Sequence, residues 1–100
     1  MKQNLKAPQR VVITGAGNIS PLGDSWSEVR ERLLAQKNAV RYMTEWDQYA
    51  DLRTRLAAPV DNFVLPSHYR AKQKRPMGRV AQMAVLATER ALEQAGLLGD

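Results

Sequence analysis

The chain has 100 residues, 44% of them hydrophobic and 25% charged, with a formal net charge of +5. It has no cysteine and a single histidine, His68. That excludes disulfides, thiolate metal centres and a Cys nucleophile within these residues, and leaves little for His-based metal or Ser-His-Asp chemistry. No apolar run reaches membrane-spanning length and residues 1–10 hold no apolar signal core, so the expected place is the cytoplasm, with no membrane span.

Residues 1–9 are polar, carry Pro8, and read as a loose lead-in. Residues 10–14, Arg-Val-Val-Ile-Thr, are apolar and β-branched at their centre, as a strand covered on both faces requires. They are therefore expected to form a central strand of an α/β layer. Residues 15–23 then break into a turn carrying Gly15, Gly17, Pro21 and Gly23.

A first helix is expected over residues 25–36. Ser25 and Glu28 match the S-x-x-E capping pattern, which satisfies free N–H groups at a helix start. Trp26, Val29 and Leu33 make one apolar stripe, with Leu34 beside it, and Lys37-Asn38 ends the helix. Residues 39–54 have no clean period and read as a loop with one helical turn near residues 47–52. Residues 55–60 are a candidate short strand, at an edge or bulged at Pro59, which cannot donate to a ladder. Asp61-Asn62 is a turn signal, and Pro66-Ser67 opens a short helix through Tyr69 and Arg70.

The last helix has the clearest pattern. Pro76 suits its first turn, apolar residues recur from Met77 through Ala95, and Gly96 stands where a C-terminal cap belongs. Between Ala81 and Ala87 only Gln82 is polar, so this helix is apolar nearly all round and needs cover on every face. Two short strands and one amphipathic helix cannot supply it. The expectation is one incomplete domain rather than a self-contained unit.

Two features carry possible chemistry. Thr14-Gly15-Ala16-Gly17 after an apolar strand has the look of a nucleotide loop, but the spacing fails. A G-x-G-x-x-G pattern would need Gly where Ser20 stands, and no second strand ends in an acid at the required distance. A Gly-Pro turn joining strand to helix fits better. No cofactor and no metal site is expected.

The second feature is a basic run. No acidic residue lies between Asp61 and Glu89, while Arg70, Lys72, Lys74, Arg75 and Arg79 do, so the remaining ten basic residues balance the ten acidic ones. Positive charge at a helix N-terminus opposes the helix dipole, by about a few tenths of a kcal/mol per charge. Such a patch is either a plain solvated face or a docking site for an acidic partner. Nucleic acid is a poor candidate, since the patch is short and only Tyr69 can stack. His68 reads as a surface residue, and Trp26, Trp46, Met77 and Met83 as packing residues.

Together, the opening residues 10–23 (RVVITGAGNISPLG), the basic run and the closing A-L-E-Q-A-G-L resemble the β-ketoacyl-acyl-carrier-protein synthases, the condensing enzymes of fatty-acid and polyketide synthesis. The similarity continues through residues 26–35, Trp46-Asp47 and residues 58–63, and covers nearly the whole chain. Gln36-Lys37-Asn38-Ala39 departs from the Gly-Lys-Ser-Gly-like turn often found in the family. The resemblance implies an α/β, thiolase-like layered fold (αβαβα in the whole enzyme). Residues 1–100 would be the first part of its N-terminal half. It implies acyltransferase activity in the parent protein, decarboxylative condensation with malonyl-acyl carrier protein, and a homodimer or heterodimer. The family's catalytic Cys and two His find no counterpart here, and His68 matches neither His. The residues that do carry over are Lys72, Lys74 and Arg75, on or between the positions that contact the acidic acyl carrier protein. The alternatives are a Rossmann-like nucleotide module and a stand-alone basic binding module.

Overall fold

A computed structural model describes residues 7–99. The element order is α1 (Trp26–Leu34), β1 (Arg41–Tyr42), a 3-10 turn (Thr44–Trp46), β2 (Leu56–Ala57), α2 (Ala71–Lys74) and α3 (Arg79–Ala95).

Residues 10–14 belong to no ladder, which corrects the expected strand. Val11 and Ile13 are 92% and 90% exposed. A strand needs a neighbour to take its N–H and C=O groups, and none of the described residues offers one.

The chain then crosses α3. A Cβ at Gly15 would collide with the carbonyl oxygen of Ala91, and one at Gly17 with the carbonyl oxygen of Ala87. Backbone therefore lies on backbone, and small residues on both sides permit it. Ala16 N–H donates to Gln94 Oε1 at 2.7 Å and fixes the register of the crossing. Ser20 and Gly23 close the turn with two backbone hydrogen bonds of 3.0 Å around Pro21-Leu22.

α1 begins as its sequence requires. Ser25 is the N-cap, and its Oγ accepts from Glu28 N–H at 3.3 Å. Glu28 pairs one turn on with Arg32 at 3.3 Å. The helix closes when Gln36 turns left-handed at φ 58°, with Lys37 N–H on Arg32 O at 2.9 Å and Gln36 N–H on Leu33 O at 3.0 Å. This is the Schellman arrangement with Gln in the place that favours Gly.

Between the helices, β1 and β2 form a two-residue antiparallel ladder, Arg41 opposite Ala57 and Tyr42 opposite Leu56. β1 was not expected, because two residues give no period to read. The helical turn lies at Thr44–Trp46 rather than at 47–52. The expected helix opening at Pro66 is a turn, with Tyr69 N–H on Pro66 O at 3.1 Å, and helix resumes only at Ala71.

Pro76 closes α2 and does not open α3, whose N-cap is Gly78. Lacking an N–H, it cannot extend the α2 bond pattern. Gly96 ends α3 in the left-handed conformation at φ 73°, as its position predicts, with Leu97 N–H on Leu92 O at 2.8 Å.

Among the described residues only Met43, Leu65 and Leu86 are buried apolar side chains. Trp26, Leu34 and Val80 stay 65%, 67% and 81% exposed. The Cα radius of gyration is 19.5 Å, where a compact 100-residue domain has about 13 Å.

Candidate functional site

The basic run sits on α2 and its exit. Lys72 and Arg75 are three residues apart in helical backbone and share a face; both are exposed. Lys74 lies on another face and is half-buried. Arg70, the N-cap, is exposed, and its backbone N–H donates to Gln73 Oε1 at 2.8 Å. Among the described residues, none of these four cations is in an ion pair.

Arg79 departs from the cluster. Its guanidinium donates to the Val60 carbonyl and lies 5.7 Å from the Phe63 ring centroid. It ties α3 to residues 60–63 and is not a free cation. The expected conflict with the α3 dipole is therefore confined to Arg79, because the other four charges precede Pro76 and Gly78.

The glycine turn is no phosphate cradle. Gly15 and Gly17 face the middle of α3, and the Ala16 N–H is already engaged by Gln94. A pyrophosphate needs free N–H groups at a helix start. The nucleotide-module reading is overturned by this packing.

The sequence reading missed a cluster beside α2. Tyr69 Oη donates to Glu89 Oε2 at 2.6 Å, and His68 Nε2 lies 2.7 Å from Glu89 Oε1. The His68 and Tyr69 rings lie 4.4 Å apart between centroids, tilted by 38°. Burial, then the hydrogen bond to Glu89 and its charge, push the Tyr69 hydroxyl up to about 12. The Tyr69 and His68 hydrogen bonds hold the Glu89 carboxyl below its ordinary range, with Tyr69 the larger cause. Glu89 is about twenty residues from its partners in sequence, so no local pattern announces the contact.

One residue on, Arg90 reaches from α3 to Asp24 at 3.1 Å and secures the approach to α1. Among the described residues no cluster of His, Asp and Glu is arranged for a metal ion, and no helix is long and apolar enough to cross a membrane.

Comparison with known proteins places this arrangement. The family model for the β-ketoacyl synthase N-terminal domain matches residues 8–100, and the chain belongs to that family. It is 34% identical over 97 residues to 3-oxoacyl-[acyl-carrier-protein] synthase 2 of Staphylococcus aureus, covering 97% of this chain and 22% of that protein. It is 34% identical over 89 residues to the granaticin polyketide putative beta-ketoacyl synthase 1 of Streptomyces violaceoruber, covering 89% of this chain and 21% of that protein. A solved beta-ketoacyl synthase from Burkholderia phymatum superposes with a TM-score of 0.85 at 48% identity, over 93% of this chain and 23% of that one. The fold class is thus the expected α/β, thiolase-like one. The chain spans about a fifth of the length of the relatives it matches.

Proposed function

We propose that residues 1–100 are the first part of the N-terminal half of a β-ketoacyl-acyl-carrier-protein synthase. The parent joins an acyl thioester to malonyl-acyl carrier protein with loss of carbon dioxide, in fatty-acid or polyketide synthesis. It works in the cytoplasm as a homodimer or heterodimer. Within it, this segment supplies scaffold and a docking patch for the carrier.

One observation carries the docking reading: Lys72 and Arg75 share an exposed face, with Arg70 close by in the chain, and none of them has an acidic partner among the described residues. Unpaired cations in one place set up a field that draws a partner of opposite charge. Lys74 contributes charge from the flank. The exposed apolar faces of α1 and of residues 11–13 support the scaffold reading, since such surface is stable only under cover.

The test is charge reversal in the full-length synthase. Lys72→Glu with Arg75→Glu is expected to weaken acyl-carrier-protein binding by about tenfold or more at low salt, with the loss shrinking as salt screens both proteins. Unchanged affinity across the salt series would refute the docking patch.

A further inference from the structure

Helix α2 has four residues, too few to hold its shape through its own hydrogen bonds. Its far end is secured by the chain itself: Met77 N–H donates to Lys74 O at 2.9 Å, and Gln82 Nε2 donates to Met77 O at 3.2 Å. Gln73 lines one side of an open groove of about 470 Å³, with Ala84, Val85, Thr88 and Leu92 of α3 on another.

Its near end is held by Glu89. Both carboxylate oxygens are engaged, Oε2 by the Tyr69 hydroxyl and Oε1 by His68. Tyr69 immediately precedes the N-cap Arg70, whose N–H is closed by Gln73. Two sets of hydrogen bonds, joined through the covalent Tyr69–Arg70 link, thus connect mid-α3 to the first turn of α2.

We infer that Glu89 is a positioning residue for partner docking: acting through Tyr69 and His68, it fixes the start of α2 so that Lys72 and Arg75 are presented at a set spacing. This rests on the docking reading above. The physical reason is entropic. A face that is already ordered loses less freedom when a partner binds than one that must be ordered at that moment.

The experiment uses the full-length synthase, steady-state kinetics with carrier-bound substrate, and the same kinetics with a small carrier-free thioester. Glu89→Ala and Tyr69→Phe are expected to raise KM for the carrier-bound substrate by about five- to tenfold, the scale of one or two lost hydrogen bonds. Their kcat, and both constants for the carrier-free thioester, stay unchanged. Glu89→Gln, which still accepts the Tyr69 hydroxyl, retains most of the affinity.

The Lys72→Glu, Arg75→Glu double variant is run alongside. If it loses the carrier while Glu89→Ala and Tyr69→Phe stay within about twofold, the positioning role is refuted and the docking patch stands. If the double variant keeps the carrier, the docking patch falls and takes the positioning role with it. Equal losses on both substrates would make Glu89 a general stabiliser and overturn the inference. Should Glu89→Ala fail to fold, Tyr69→Phe, which removes one hydroxyl, decides the matter.

Discussion

Gln36 and Gly96 occupy the same left-handed position at the ends of α1 and α3, with φ 58° and 73°. A residue with a Cβ is strained there by roughly 1–2 kcal/mol. Gln36→Gly is therefore expected to stabilise the full-length protein by about 1 kcal/mol and Gly96→Ala to destabilise it by a similar amount. Paired denaturant titrations check both, and a stabilising Gly96→Ala would contradict the cap assignment.

Tyr69 and Glu89 make a second residue-scale case. The Glu89 carboxyl is depressed, so its contribution is complete above the ordinary carboxylate range and is lost as pH falls through the folded value. The Tyr69 hydroxyl is raised to about 12, so its contribution is complete below the ordinary tyrosine value and is lost as pH climbs from about 10 towards 12. Phenolate absorbance should show a late-rising component near pH 12 that Tyr69→Phe removes, while Tyr42, also raised by its hydrogen bond to Asp47, stays. If the absorbance lost in Tyr69→Phe is absorbance that rises near pH 10, the contact is ruled out.

At the scale of elements, the crossing of residues 15–17 over α3 fixes what the glycine turn is for. The two glycines let two backbones meet, with Ala87 and Ala91 opposite them. Gly17→Ala must push the chain off α3, and overpacking of this kind costs about 1–3 kcal/mol. A lowered Tm in the full-length protein checks it; an unchanged Tm would mean that the crossing is loose. The helices were legible because their signals are local: the Ser25 cap and the Gly96 stop are read from a few neighbouring residues. The strand at residues 10–14 was not, since its pattern gives a propensity and a ladder requires a partner. α2 was displaced for a related reason. Four helical residues carry no period, and Pro76 ends one helix as readily as it begins another.

For the whole molecule, the exposed apolar side chains decide the expectation. The three buried apolar residues among those described cannot sustain a cooperative core. Expressed alone, the 100-residue chain is expected to unfold broadly, bind a hydrophobic dye and show no condensing activity. A sharp calorimetric transition, or turnover by a chain without cysteine, would contradict this. The family's likeness spans about a fifth of each relative, which agrees with surfaces that need more protein around them.

The sequence by itself determined the family, the two main helices, and the lone basic run, because each is written in contiguous residues. Tertiary structure alone decided which cations of the basic run have no partner among the described residues. Arg79 is taken up by Val60 and Phe63, while Lys72 and Arg75 remain on one face. It also decided that Gly15 and Gly17 receive a helix and not a phosphate, and that Glu89 holds Tyr69 and His68. Each of these contacts joins residues far apart in the chain, and only folding brings such groups within hydrogen-bond or packing distance.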